Sequence, residues 1–308
     1  VELTEVYRQA LESPIIRLAH RILSGKPIPV EEYPDWKIEN QLTLHAWKKK
    51  LHPDLAVLTL AAFFRAAIDS GAYNPDEDMI LIPYNKACGT IEINKHIANY
   101  LARRSGRVTY EVVAGFAKHY FSSGDKVLYD RADAEIVAIE QNMAYTGANF
   151  QSPSQHLDYW GHNPKAVEEN AHFKDKSKED IDVDFLLDQA VSSEDRVTQA
   201  SHSITIRLVG SDVDLTLTKA AEVNGLLHSY ALTVHKSQGS EWRKVFFLLH
   251  QSHAVMLQRE LLYTAVTRAR EELYVICEPE SFVKGINSQR IKGETLAEKA
   301  EFFKGKLK

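Results

Sequence analysis

Short apolar runs alternate with stretches of helical periodicity over much of the chain. The run Met79-Ile-Leu-Ile-Pro83 is continuously apolar, which is typical of a strand buried on both faces of a parallel sheet. Residues 89–104 follow with apolar side chains at helical spacing. The later predicted elements are strands at 230–235, 245–249 and 273–277 and a helix at 258–270. This alternation predicts an α/β fold in which helices cover both faces of a parallel sheet.

Two helices are predicted before this region. Ser13 is a suitable N-cap and Pro14 suits the first helical turn, while Gly25 follows the last apolar position and ends the helix. A second apolar helix is predicted over 55–70. Residues 26–53, with four prolines and many charges, are predicted to be loop and weak strand. We therefore expect residues 1–78 to form an initial motif segment and a helical lead-in to the α/β domain.

Short β-rich stretches with Gly or Asp at their turns separate the two α/β blocks. They lie at 124–128, 134–139, 203–209 and 213–218. This texture predicts a small β-barrel inserted into the α/β domain and interrupted by a polar, acidic stretch from about 147 to 200. The expected domain limits are 1–78 for the lead-in, 79–123 and 223–280 for the α/β domain, 124–222 for the barrel and 281–308 for a basic tail.

The net charge of −5 comes from one segment rather than from the whole chain. Residues 163–200 contain ten acidic and five basic side chains, so the remainder is neutral. Nucleic-acid binding depends on local positive grooves, and the overall charge does not exclude it. No apolar run reaches the roughly 18 residues of a membrane span, so no membrane partner is expected. The two cysteines and 13 histidines lack metal-ligand spacing, which predicts reduced thiols and no metal site.

The most distinctive string is Thr233-Val-His-Lys-Ser-Gln-Gly-Ser-Glu-Trp242. It begins at the end of a predicted parallel strand, where α/β sheets bind ligands. Gly239 permits close approach of the backbone to a phosphate. The neighbouring side chains of Lys236, Ser237 and Gln238 supply hydrogen-bond donors. A polar turn explains any one of these residues, but the complete string favours a binding loop.

A second string is Gln258-Arg-Glu-Leu-Leu-Tyr-Thr-Ala-Val-Thr-Arg-Ala-Arg270. Helical spacing places Arg268 on the polar face of a helix that is otherwise apolar enough to be buried, so its charge needs an anionic partner. A structural salt bridge and a phosphate are the two alternatives. Arg270 would lie about 200° further around the helix and is interpreted as a solvated or structural charge.

Two other strings are less specific. Leu3-Thr-Glu-Val-Tyr-Arg-Gln9 alone is an amphipathic segment. Ile82-Pro-Tyr-Asn-Lys-Ala-Cys-Gly-Thr-Ile-Glu-Ile-Asn94 is predicted to form a strand, a turn and the start of a helix. Its polar residues Asn85, Lys86 and Thr90 are candidate contacts for a ligand, and satisfied turn residues are an equal alternative.

Taken in order, these strings resemble the motifs of superfamily 1 DNA helicases of the RecD-like and Dda-like group. The strings at 3–9, 233–242 and 263–269 resemble motifs IV, V and VI, and the resemblance covers nearly the whole chain. It implies a RecA-like P-loop NTPase second motor domain that works with ATP and Mg²⁺ on single-stranded DNA or a DNA fork. It also implies movement in the 5′→3′ direction and a cytoplasmic location in a bacterial or phage-infected cell.

The resemblance also implies roles for the matching positions. Arg268 and Arg8 would both contact the terminal phosphate of ATP across a cleft between domains. The other expected nucleotide contacts are Gln9, Gln238, Gly239 and Glu241. The expected contacts with single-stranded DNA are Thr233, His235, Lys236, Ser237, Asn85, Lys86 and Thr90.

Two features depart from the family pattern. No Gly-x-x-x-x-Gly-Lys-Ser/Thr loop occurs in the 308 residues. We therefore expect a preceding domain to hold the phosphates and most of the Mg²⁺ site, and the chain alone not to hydrolyse ATP. The segment Gly124-Asp-Lys-Val127 lacks the usual Asn-Gly-Asp turn, and the acidic stretch replaces a short connection. That stretch is a candidate docking surface for replication or recombination proteins. The alternative hypothesis is a non-catalytic DNA- or protein-interaction module that retains the helicase fold.

Overall fold

The computed structural model describes residues 13–26, 36–39, 41–47, 50–145, 199–211 and 213–289. In this part the helices are α1 Pro14–Leu23, α2 Pro53–Asp69, α3 Thr90–Arg104, α4 Ala220–Asn224, α5 Arg259–Val266 and α6 Pro279–Asn287. The strands are β1 Trp36–Glu39, β2 Leu42–Ala46, β3 Met79–Ile82, β4 Thr109–Ala114, β5 Ala117–Ser122, β6 Lys126–Tyr129, β7 Ala132–Gln141, β8 Gln199–Leu208, β9 Asp214–Lys219, β10 Leu227–His228, β11 Ala231–Thr233, β12 Trp242–Leu249 and β13 Ala269–Cys277. A turn of 3-10 helix spans Gln251–His253.

The described residues divide into two compact units. The first takes those within Val1–Val108, Asp125–Asp133 and His228–Lys308, and the second takes those within Thr109–Gly124 and Ala134–Leu227. Residues 109–124 therefore group with the second unit, whereas residues up to 123 were expected in the α/β domain. The strands on either side of Gly115 pair as a hairpin, and the φ of +62° at this glycine suits the turn between them.

The first unit is built on a six-stranded sheet with the order β1-β2-β13-β12-β3-β11. β1 and β2 pair antiparallel, and every other neighbouring pair in this sheet is parallel. All four residues of β3 are fully buried, as expected for a strand that is covered on both faces. The predicted parallel sheet is confirmed.

Helices cover both faces of this sheet. On one face α1, α5 and α6 pack against alternate strand residues such as Leu81, Phe247 and Val275. On the other face α2 and α3 pack against the intervening residues, among them Ile80 and Phe246. Since successive side chains of a strand point to opposite faces, one continuous apolar run supplies both cores. The predicted placement of helices on both faces is also confirmed.

The second unit contains strands that pair antiparallel in the described residues. β7, β8 and β9 are neighbours in that order, and β4 and β5 form a hairpin. The Val113 N–H of β4 donates to Ser201 Oγ of β8 at 2.8 Å, so the hairpin packs beside the sheet. Pairing among the described strands leaves the sheet open, and the expected closed β-barrel is not shown.

Both cysteines of the chain lie in the described part of the fold. Cys88 and Cys277 are free buried thiols, and burial raises the pKa of each to about 12. Both thiols therefore stay protonated and unreactive at neutral pH. The described helices include none with the length and apolar character needed to cross a bilayer. Nor do the described side chains gather three potential metal ligands at one place.

Candidate functional site

β11 lies at one edge of the six-stranded sheet and leads into residues 234–241, here named the crossing loop. Thr233 pairs with Ile82 of β3, and Phe247 of β12 pairs with the residue that precedes Ile82. The loop ends where β12 begins, at Trp242, which is about 20 Å lower along the strand direction at ~3.3 Å per residue. The crossing loop therefore runs from the carboxyl edge of the sheet to its amino edge.

The first half of the crossing loop is a tight turn held by its own hydrogen bonds. The Ser237 N–H donates to Thr233 O at 3.1 Å, and the Ser237 hydroxyl donates to Val234 O at 2.8 Å. Ser237 is fully buried, so its hydroxyl shapes the turn. His235 and Lys236 are exposed and remain available to a ligand at the carboxyl edge.

The second half of the crossing loop is open to solvent. Gln238, Gly239, Ser240 and Glu241 are all exposed. Gly239 has a φ of +90°, which glycine adopts without steric cost, and the space beside its α-carbon is empty. An exposed backbone with this freedom allows a phosphate oxygen to approach closely.

Arg268 lies between α5 and β13, and its guanidinium bonds to neutral acceptors. Nε donates to Thr264 O at 3.1 Å, Nη1 to Ser240 O at 3.1 Å and Nη2 to Thr267 Oγ1 at 3.3 Å. No carboxylate in the described part of the chain forms an ion pair with Arg268. The structural salt bridge that the sequence left open therefore gains no support. The charge stands beside the far end of the crossing loop.

The helix before Arg268 is shorter than predicted. α5 ends at Val266 and β13 follows almost at once, so the expected helix over 258–270 is wrong at its carboxyl end. The Thr267 hydroxyl donates to Tyr263 O at 3.0 Å and satisfies a carbonyl of the last turn. Arg270 consequently lies on an exposed strand position and not on a helix. Apolar side chains continue from α5 into β13, so the sequence pattern does not mark the end of the helix.

Arg243 shows how an arginine of the first unit is neutralised when its role is structural. Its guanidinium lies 3.2 Å from Asp78, 3.3 Å from Glu77 and 3.9 Å from Glu272. Asp78 is almost fully buried, and that burial raises the pKa of its carboxyl even though nearby cations oppose the shift. Arg268 has no such carboxylates among the described residues, which leaves its charge able to attract an anion from outside.

Residues 83–89, here named the β3–α3 loop, lie at the same edge as the start of the crossing loop, because β3 and β11 are parallel neighbours. Asn85 and Lys86 are exposed in this loop. Thr90 is 6% exposed, and its hydroxyl donates to Asn85 Oδ1 at 2.9 Å. The N–H groups of Thr90 and Ile91 donate to loop carbonyls at 3.1 Å, so the loop itself caps α3. Asn85 and Lys86 thus add exposed polar side chains to those of His235 and Lys236 at the same edge.

A turn at 250–253, which no sequence motif marks as functional, supports the β3–α3 loop. The Ser252 hydroxyl donates to Ala87 O at 2.6 Å, and His253 Nε2 donates to Cys88 O at 3.1 Å. The string His-Gln-Ser-His at 250–253 has the character of an ordinary polar turn. Only the folded structure brings it against residues more than 160 positions away in the sequence.

Residues 228–276 match the family model described as the UvrD-like helicase C-terminal domain. The match includes the crossing loop and Arg268. Over this segment the chain is similar to helicases of the UvrD-like type. Over 275 residues, or 89% of the chain, it is 28% identical to the ATP-dependent RecD2 DNA helicase of Deinococcus radiodurans. The predicted relationship to the RecD-like group is confirmed.

Other similarities cover shorter or more distant matches. The chain is 51% identical over 47 residues to the RecBCD enzyme subunit RecD of Mycobacterium tuberculosis, which is 15% of this chain and 8% of that protein. A solved structure of two coordinating Pif1 helicases at forked double-stranded DNA aligns with 99% of this chain and 55% of that one, at 14% identity and a TM-score of 0.42. The chain spans only 28% of the length of the RecD2 helicase.

Two expected site residues, Arg8 and Gln9, lie outside the described part of the chain, and so do residues 146–198 of the acidic stretch. The expected convergence of Arg8 and Arg268 on one phosphate therefore stays a prediction.

The donor set around the crossing loop suits a phosphate better than a metal ion. Arg268 offers a positive fork and the crossing loop offers exposed backbone, whereas the described residues assemble no three-ligand metal group.

Proposed function

We propose that the chain is the second motor domain of an ATP-driven DNA helicase, or single-stranded DNA translocase, that moves in the 5′→3′ direction. The environment of Arg268 carries the proposal. This residue is permanently charged, and all its hydrogen-bond partners among the described residues are neutral. It lies at the end of the crossing loop, and the other end of that loop carries exposed polar groups. Such a guanidinium stabilises charge on a transferred phosphoryl group. The direction of movement follows from the resemblance to the RecD-like group.

In this proposal the crossing loop connects the DNA with the nucleotide. His235 and Lys236, both exposed, contact the sugar–phosphate backbone at the carboxyl edge of the sheet. Thr233 is 8% exposed and its Oγ1 accepts from the Lys236 N–H at 3.4 Å, so it holds the start of the loop next to that contact. Asn85 and Lys86 of the neighbouring loop extend that contact. The hydroxyls of Ser237 and Thr90 shape the two turns, since both are used in internal hydrogen bonds.

Near the amino edge, Gln238, Gly239 and Glu241 face the nucleotide beside Arg268. Binding of the terminal phosphate draws Arg268 toward it, and the bond from Arg268 to Ser240 O carries that displacement into the crossing loop. Loss of the phosphate after hydrolysis releases the same contact. Alternation between these two states changes the grip on DNA once in each ATP cycle.

Further elements of the proposal concern residues outside the described part and the second unit. Arg8 and Gln9 would add a second contact with the terminal phosphate, and a preceding domain would hold the phosphate-cradling loop and Mg²⁺. The second unit, whose sheet is open in the described residues, would serve as the inserted β domain. The acidic stretch from about 147 to 200 would dock replication or recombination proteins in the cytoplasm.

The test uses the full-length protein in which this chain occurs. Arg268→Ala is expected to lower DNA-stimulated ATP hydrolysis by at least about 100-fold, since arginine fingers supply roughly 10³–10⁵ in rate. Arg268→Lys is expected to lower it similarly, because a point charge does not reproduce the planar fork. Affinity for single-stranded DNA is expected to stay within about threefold in both variants, because phosphate sensing and DNA contact occupy different ends of the loop.

Arg270→Ala is the matched control, because this arginine is exposed two residues further along the chain. Its ATP hydrolysis is expected to equal that of the wild type. Wild-type turnover in Arg268→Lys would contradict the role given to Arg268. A full-length protein that binds single-stranded DNA and never hydrolyses ATP would favour the non-catalytic interaction module instead.

A further inference from the structure

The 3-10 turn Gln251–His253 links three separate parts of the carboxyl edge of the first unit. Ser252 and His253 bond to the β3–α3 loop. The backbone N–H of Gln251 donates to the buried carboxylate of Glu278, which follows β13. His250 Nε2 donates to Leu51 O at 2.9 Å, just before α2. The turn is therefore a fixed point from which the loop is held.

The β3–α3 loop needs external support because its backbone is strained. Ala87 and Cys88 have φ values of 49° and 66°, in the left-handed region that residues with a β-carbon rarely adopt. Two consecutive residues of this kind persist only where the surroundings over-determine them. The carbonyls of these two residues are the acceptors for Ser252 Oγ and His253 Nε2. Both strained peptides are thus fixed by side chains from the turn.

Both ring nitrogens of His253 form hydrogen bonds with backbone groups. Nδ1 accepts from the His250 N–H at 3.1 Å, and Nε2 donates to Cys88 O at 3.1 Å. Such an arrangement requires the neutral ring with its proton on Nε2. His253 is 1% exposed, so no solvent competes for either bond. The ring spans the gap between the turn and the loop and determines their separation.

We propose that Ser252 and His253 are positioning residues for DNA binding, which hold the β3–α3 loop so that Asn85 and Lys86 present their side chains to the DNA backbone. The proposal rests on the function proposed above. Neither residue touches DNA or nucleotide. Both act through the shape of the loop. Asn85 and Lys86 are exposed there, and the two strained residues follow them directly in the chain.

The experiment measures the DNA concentration that gives half-maximal stimulation of ATP hydrolysis by the full-length protein, with oligo-dT as the probe. Ser252→Ala removes the hydroxyl, and His253→Asn keeps an acceptor for the His250 N–H but cannot reach Cys88 O. Each change is expected to raise the half-maximal concentration about fivefold, the effect of one lost hydrogen bond. The kcat at saturating DNA and the KM for ATP are expected to stay within twofold.

Two conservative variants separate positioning from general stability. Ser252→Thr retains the hydroxyl donor, and His253→Gln carries an amide N–H toward Cys88 O; both are expected to give half-maximal concentrations close to the wild type. Ser281→Ala removes another buried hydroxyl, one that donates to Glu278 and does not contact the β3–α3 loop. It serves as the control and is expected to leave the DNA concentration unchanged.

Equal half-maximal DNA concentrations in all variants would overturn the positioning role while the helicase proposal stands. So would an equal fall of kcat in Ser252→Ala and Ser252→Thr without a change in DNA dependence, since that result indicates a structural role alone. A wild-type protein whose ATP hydrolysis does not respond to oligo-dT would overturn the proposed function and this inference together.

Discussion

Arg268 and Arg243 are both arginines of the first unit, yet their surroundings give them different roles. Arg243 is surrounded by carboxylates, and its charge stabilises the fold locally. Arg268 donates to two carbonyls and a hydroxyl, which orient the guanidinium without neutralising it. A charged group that its neighbours orient, and that no carboxylate in the described ranges neutralises, is suited to an external anion.

His235 gives a prediction at the scale of one residue. His235→Ala is expected to reduce the ratio of ATP hydrolysis with and without single-stranded DNA by roughly tenfold, because one hydrogen bond to a charged phosphate is worth about 1.5–3 kcal/mol. The measurement is steady-state ATP hydrolysis of the full-length protein at rising oligo-dT. His52→Ala changes an exposed histidine elsewhere and is the control. An unchanged ratio in His235→Ala would remove this residue from the DNA contact.

His253 gives a second prediction, about pH. Burial lowers the pKa of this histidine to about 4 from its ordinary value of about 6.5, so the unfolded chain binds its proton first as pH falls. Protonation of the unfolded chain therefore lowers the free energy of unfolding progressively between pH 6.5 and 4, by up to ~3 kcal/mol, and has no effect above pH 6.5. Urea unfolding of His253→Gln and the wild type at several pH values checks this. Equal slopes of stability against pH in the two proteins would contradict it.

At the scale of the element, the sequence predicted the elements with strong apolar runs and missed those fixed by contacts. β3 and α3 lie where the runs and spacing placed them, because each supplies its own hydrophobic signal. α5 ends early because side chains of Thr267 and Arg268 take its last carbonyls, which no periodicity records. The same limit applies to the candidate site. The string 233–242 marked the crossing loop, but the support from Ser252 and His253 depends on tertiary packing.

Gly89 gives a prediction for the β3–α3 loop as an element. A β-carbon at this position would collide with the backbone of Tyr84 and Asn85, which cannot move without opening the cap of α3. Gly89→Ala is therefore expected to destabilise the fold by about 3 kcal/mol, the upper range for overpacking. Gly71→Ala meets no atom and has only the strain of a φ of +73°, so about 1 kcal/mol is expected there. Urea denaturation followed by circular dichroism compares the two, and equal losses would contradict the steric argument.

At the scale of the whole molecule, the uneven charge distribution matters more than the net charge. The acidic excess is confined to residues 163–200, and the remaining chain is electrically balanced. A protein with net negative charge is therefore still able to bind a polyanion through a few local cations, and that binding must depend strongly on salt.

Lys86 provides the corresponding prediction. Each phosphate contact with single-stranded DNA contributes about −0.7 to the slope of log affinity against log salt concentration. Lys86→Ala is expected to reduce the magnitude of that slope by about 0.7 and to weaken binding at every sequence alike. Lys50→Ala is the control, because Lys50 is ion-paired with Glu280 at 2.7 Å. Fluorescence anisotropy with labelled oligo-dT at several salt concentrations measures both slopes, and an unchanged slope in Lys86→Ala would exclude this phosphate contact.

The path of residues 234–241 has a consequence for evolution and engineering. Eight residues that begin with a tight turn have little slack over a span of about 20 Å, so the segment behaves as a tether of fixed length. A displacement at one end of the segment is therefore transmitted to the other end. Two extra glycines after Gly239 would lengthen the tether, and the two ends would then respond to their ligands independently. Natural length variation should accordingly be tolerated at the hairpin tip near Gly115 and rejected within this segment.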